Sequence, residues 1–246
     1  LVEGIIAKDM TDQRQRKRRK LLGQLDSLGQ HIQGNPEFLS MEQCQDEAYN
    51  LILGEAREIF DLKQEPTKLR EAYGMSHFGQ SCLQARRLVE EGVPYITVNY
   101  NGWDTHKTHF DTMNQKMPEF DQAVATLLED LDQRGLLDST IVWCSGEFGR
   151  TPRIQWKEPW NGGRGHFGAC FSGFVAGGGF KGGHVIGETD ANAEEVVSRP
   201  VYPQDLIGSI YELAGIDPNG TILNGAGKKV PLTLPTEADG RLYEIM

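Results

Sequence analysis

The chain has 246 residues, a formal net charge of −10, 38% hydrophobic and 24% charged side chains. That balance supports one large buried core or two small ones and excludes wholesale disorder. No apolar run approaches the roughly 20 residues of a membrane helix, so no membrane span is expected.

The sequence opens at Leu1 without a methionine and runs directly into charge, which points to a piece of a longer protein. Residues 8–20 carry seven basic side chains against Asp9 and Asp12, a local +5 that leaves −15 on the remainder. No aromatic residue interleaves this run and the rest is acidic, so it reads as a solvated helix face and no nucleic-acid partner is expected.

A helix is expected over 9–30, capped by Thr11 and striped by Leu21, Leu22, Leu25 and Leu28. A second is expected over 40–60, where Ser40 and Gln43 fit a capping box. Residues 1–60 thus form a helical excursion packed on a core domain of residues 61–246. From Ser76 the rhythm changes. A helix over 76–91 ends at Gly92 and a strand over 94–100 follows. A long helix over 116–134 stops at Gly135, a strand covers 139–144, a polar loop spans 145–167, and an apolar stretch fills 170–176. Pro203 starts a last helix that Gly215 ends. Helices alternating with apolar strands predict an α/β fold whose largely parallel sheet is covered on both faces. The four cysteines form no CxxC pair; Cys144 and Cys170 lie in apolar runs and read as small buried hydrophobes.

Chemistry concentrates at two strand ends, where α/β folds bind ligands. Asp104, His106 and His109 follow the first as D-x-H-x-x-H, with donors suited to zinc, manganese or iron. Glu147 and Arg150 follow the second. The carboxylate can ligate a metal or act as a base, and the guanidinium can hold an anion; alternatively the two pair to fix the loop. Asn161–Phe167 is glycine-rich and brings Arg164 and His166. His166 completes a set with Asp104 and either His106 or His109. Thr105 reads as a cap, with a hydroxyl nucleophile as the alternative. Ala176–Gly183 lacks the Lys-Ser/Thr of a phosphate loop and reads as a turn. His31, His77 and His184 have no carboxylate partner nearby in sequence.

Seven phrases carry a resemblance: Phe60-Asp61-Leu62, Arg70–Gly74, Ala85–Val93, Trp103–His106, Gly146–Pro152, Gly163–His166 and Ala176–Gly179. Together, over about residues 55 to 220, they resemble the C-terminal part of the bacterial family called domain of unknown function 1501. That family is similar to the alkaline-phosphatase and sulfatase superfamily. The resemblance implies a three-layer α/β/α sandwich, here lacking its N-terminal strands, that hydrolyses phosphate or sulfate esters at bound metal. Glu147-Phe148-Gly149 resembles the superfamily's Asp-His-Gly, His166 its later histidine, and Pro203–Leu206 a helix start. Phe148 in place of histidine removes a second-metal ligand, and Gly165 stands where the family usually has aspartate.

The expectation is a metal-dependent hydrolase of phosphate or sulfate esters. Asp104, His106, His109 and His166 are its candidate ligands to a divalent metal: zinc first, then manganese or calcium. Glu147, Arg150 and Arg164 are its candidate catalytic residues. The partner would be a small anionic ester or a sulfated or phosphorylated sugar; no oligomeric state is assigned. By resemblance alone the protein is exported or periplasmic. The rival expectation is a non-catalytic scaffold or ligand-binding protein with a degenerate metal site.

Overall fold

The computed structural model describes residues 10–25, 36–54, 56–236 and 240–246. Helices make up the first half: α1 (Asp12–Leu25), α2 (Pro36–Leu53), α3 (Ala56–Ile59), α4 (Thr67–Ala72), α5 (His77–Glu90) and α6 (His109–Gln133). The second half holds eight short strands and α7 (Pro203–Leu213). The strands are β1 (Val142–Cys144), β2 (Gly149–Arg150), β3 (His166–Phe167), β4 (Phe174–Ala176), β5 (Glu188–Thr189), β6 (Val196–Ser198), β7 (Thr221–Leu223) and β8 (Lys229–Pro231).

This architecture overturns the expected sandwich. Among the described residues the strands form four two-stranded sheets, β1–β4, β2–β3, β5–β6 and β7–β8, all antiparallel. The reason lies in the connections. A parallel pair needs a crossover of a dozen residues or more, usually a helix. No helix lies between β1 and β4, so the chain folds back and pairs Val142 with Ala176. The expected strand at 94–100 is extended but enters no ladder. Ile96, Val98 and Tyr100 are half-buried and alternate with exposed Tyr95, Thr97 and Asn99. The half-buried face packs against helices instead of joining a sheet: Val98 and Tyr100 lie on the first apolar cluster.

Two apolar clusters hold the molecule. In the first, Tyr73, Phe78, Cys82 and Leu83 pack on Ala123 with Val98, Tyr100 and Phe120 around them. This joins α5 to α6, and a fully buried Leu83 contributes about 1.5–3 kcal/mol. Ser76 caps α5 through a bond from the Gly79 amide, and Gly92 leaves the helix at φ +75°. In the second cluster, Phe180, Leu242 and Ile245 gather β1, β4 and α7 through Ile141, Val175, Leu206 and Ile210. The glycine turn after β4 fits here. A Cβ on Gly178 would lie 2.1 Å from the Ile141 side chain.

A buried ionic network crosses the first cluster. Arg86, only 1% exposed, lies 2.9 Å from Glu65 and 2.9 Å from Asp130 and also pairs with Glu90. The Tyr73 hydroxyl donates to Asp130 at 2.9 Å. Arg87 joins at Glu65, and Arg134 at Asp130.

Boundaries shift in three places. Helix α2 begins at Pro36, so Ser40 and Gln43 lie inside it, not at its cap. Helix α1 ends at Leu25 with Thr11 accepting the Arg14 amide; Leu28 and His31 lie outside the described residues. Exposed Leu21 and Leu22 form no buried stripe. Helix α6 begins at His109, seven residues before its expected start, and contains Pro118. All four cysteines are free thiols, with Cys82 and Cys170 buried and Cys44 exposed. No helix is long and apolar enough to cross a membrane, among the described residues.

Candidate metal centre

Three pieces of backbone build the site. The first is the turn at 103–106, tightened by bonds from the Thr105 amide to Trp103 O and from the His106 amide to Asp104 O. The second is the β2–β3 ladder, whose register sets Arg150 opposite His166. The glycine-rich loop, the third, joins the other two. The Arg164 amide donates to Thr105 O, the His109 amide to Gly162 O, and the Thr151 amide to Gly165 O. Gly163 lies flat on the His106 carbonyl, and Gly149 is similarly pressed on the Cys170 carbonyl. The glycines are close-packing devices that carry His166 to His106.

Asp104 Oδ1 lies 3.1 Å from His106 Nε2 and 3.1 Å from His166 Nε2. The two imidazole nitrogens are 3.2 Å apart. The three atoms form a nearly equilateral triangle. Ligand atoms about 2.0–2.1 Å from a tetrahedral ion stand roughly 3.3 Å from one another, so the triangle has the size of one tetrahedral face. Protons cannot satisfy it fully. Each ring nitrogen carries a proton or a lone pair, never both, so at most two of the three edges are bridged. A cation shared by all three atoms meets every lone pair. The donor set, two imidazoles and a carboxylate, suits zinc or manganese better than calcium, which takes oxygen ligands.

Asp104 is 54% and His166 52% exposed on their side chains, so the triangle opens to solvent. An ion on this face would keep a fourth position open to water or a ligand. Arg150 Nη1 donates to Asp104 Oδ1 at 2.6 Å and Arg150 Nη2 to Glu147 at 2.8 Å. Desolvation opposes ionisation of Asp104, but the His166 hydrogen bond and the charges of His106 and Arg150 prevail and hold its carboxyl below the usual value.

Aromatic rings brace the ligands. The Phe148 ring lies 4.6 Å from the His166 ring and 5.3 Å from the Arg150 guanidinium. Trp160 lies 5.1 Å from His106. His106 Nδ1 is buried with no hydrogen-bond partner, an arrangement that costs about 1–3 kcal/mol and puts the weight of this ring on its Nε2.

Of the expected ligands, Asp104, His106 and His166 converge and His109 does not. Its Nδ1 bonds Thr105 Oγ1 at 2.7 Å from the first turn of α6. Burial, and then the Arg164 guanidinium, push the His109 imidazole below its ordinary value, and the ring acts as a prop for the turn through Thr105. Thr105 is buried and serves that prop. Glu147 and Arg150 lie beside the triangle. The Arg164 side chain instead donates to Pro152 O at 3.1 Å. Sequence reasoning missed Phe148 as a brace and Trp160 as a neighbour. The tryptophans of Trp156-Lys157-Glu158-Pro159-Trp160, inside a polar loop, were the available signal for the latter.

The family described as "Protein of unknown function (DUF1501)" matches residues 5–242. The chain belongs to this family. No curated protein and no solved structure matches it. In this chain Asp104, His106 and His166 form a possible metal-binding group, and the match is to this family, not to the alkaline-phosphatase and sulfatase superfamily.

Proposed function

We propose that this protein is a zinc-dependent hydrolase of small phosphate or sulfate esters. The observation that carries the reading is the open triangle of Asp104, His106 and His166 with a guanidinium and a second carboxylate beside it. Support also comes from the resemblance of Glu147-Phe148-Gly149 and His166 to the superfamily motifs. Asp104, His106 and His166 would hold the ion, which when bound would supply charge to polarise the ester and favour ionisation of water. Arg150 turns from Asp104 to the ester's anionic oxygens, which its planar fork matches. Glu147, exposed and freed by that turn, takes the proton of the attacking water. As the water oxygen bonds to phosphorus or sulfur, the bond to the alcohol oxygen breaks, and the proton held by Glu147 passes to the departing alcohol, which restores the carboxylate. Arg164 holds the loop at Pro152.

One observation favours a second reading. Arg150 already rests on the oxygen that both histidines share. A guanidinium there neutralises the carboxylate without any metal, which would make the cluster an ionic clasp in a non-catalytic ligand-binding protein.

Metal analysis of the purified protein separates the two, together with turnover of aryl phosphate and aryl sulfate. A single zinc per chain is expected, with turnover lost more than about a hundredfold on Asp104→Ala or His166→Ala. Metal-free protein without mutation-sensitive turnover would rule the hydrolase out.

A further inference from the structure

Beside the metal centre, two large rings lie open to solvent. Trp156 is 68% and Phe110 53% exposed. Their planes are nearly parallel, 25° apart, with centroids separated by 6.4 Å. Scattered exposed apolar side chains are ordinary, whereas these two rings lie side by side as one exposed aromatic surface.

Their placement is fixed by the same backbone that builds the metal centre. Phe110 follows His109 in the first turn of α6. Trp156 lies on the buried backbone of Gly162, where a Cβ would come within 3.0 Å of its ring. Gly162 accepts the His109 amide, and its neighbour Gly163 lies on the His106 carbonyl. The ledge therefore stands two backbone residues away from a ligand of the triangle. Its sequence neighbours Lys157, Asn161 and Asp111 are exposed and polar.

Aligned rings with a polar margin match a pyranose, which presents C–H groups on its faces and hydroxyls around its rim. The ring faces take the C–H groups, and the polar margin takes the hydroxyls. We infer that the Trp156–Phe110 ledge is a saccharide subsite of the metal centre, so that the ester processed there is carried on a sugar. This rests on the ester-hydrolase reading above for its anionic end, and on the ledge alone for its sugar end.

The test compares affinities of the zinc-supplemented protein for glucose 6-phosphate and glucose 6-sulfate with those for methyl phosphate, methyl sulfate and phenyl phosphate. Wild-type protein is expected to prefer the sugar esters over the methyl esters by about tenfold. Trp156→Ala should abolish that preference while leaving methyl-ester affinity unchanged, and Trp156→Phe should keep part of it. Equal affinity for sugar and methyl esters in the wild type overturns the inference, as does a preference that survives Trp156→Ala. Tighter binding of phenyl phosphate than of glucose 6-phosphate assigns the ledge to a flat aromatic ester and also overturns it. Metal content is scored apart. If the protein holds no zinc, the hydrolase reading fails, and neutral methyl glucoside then decides the ledge by tryptophan fluorescence. Quenching that is lost in Trp156→Ala supports the subsite, and absence of quenching overturns it.

Discussion

Gly163 rests against the carbonyl of His106 so closely that a Cβ there would lie 1.9 Å from its oxygen. No side chain fits that contact without moving the two segments apart, and overpacking of this kind costs about 1–3 kcal/mol. Gly163→Ala should therefore separate His166 from His106 and weaken zinc binding by tenfold or more, on the order of the lost packing energy. At Gly165 a Cβ would meet only Thr151 and Gln155 at 3.6 and 3.8 Å, which is ordinary contact. Gly165→Ala should leave zinc affinity unchanged. Competition with a fluorescent chelator reads both.

Arg150 separates the metal reading from the ionic clasp. If a cation and the guanidinium compete for Asp104 Oδ1, Arg150→Gln should tighten zinc while reducing ester turnover. A clasp without metal predicts the reverse emphasis: no zinc in either protein, and a lower urea midpoint for the variant.

The Arg86 network should dominate the stability of the helical half. Removing the buried cation of such a network costs about 3–5 kcal/mol, even though Arg87 and Arg134 remain beside Glu65 and Asp130. Arg86→Ala is expected to lose that much, since Glu65, Glu90 and Asp130 all face it. Chemical denaturation followed by far-UV circular dichroism measures it.

The same network sets an acid limit. Burial of Glu65 raises its pKa, but hydrogen bonds and charge from Arg86 and Arg87 outweigh it and hold the carboxyl below its ordinary value. A carboxyl with a depressed folded pKa stabilises fully above the unfolded value, about 4.3, and the benefit disappears as pH falls through the folded one. The urea midpoint should therefore drop below about pH 5. In Glu65→Gln that slope should be shallower, and an unchanged slope would assign the acid limit to other carboxylates.

Helix positions were largely legible because their punctuation is local. Ser76 with Gly92 frames α5, Gly135 closes α6 at φ +68°, and Pro203 with Gly215 frames α7. Sheet topology was not. Alternation at 96, 98 and 100 reveals a half-buried face but says nothing about what covers it, and helices cover it here. At the site, residue types foretold Asp104, His106 and His166. The spacing could not choose between His106 and His109, because that depends on where α6 begins. With Thr108 at φ +46° before it, the chain turns into the helix at His109 and takes that ring to Thr105. Phe148 read as a missing ligand, and only the folded chain shows its ring beside His166 and Arg150.

Asp104 and His166 are sixty-two residues apart in sequence and 3.1 Å apart in space. An ion held by both is a knot in the chain as well as a reagent. Closing a loop of that length removes chain entropy from the unfolded state equivalent to roughly 4 kcal/mol in the ideal case. Under the metal reading, loading with metal and completion of the fold would become one event. A chelator would loosen the junction between the helical half and the stranded half before it disturbed either half alone.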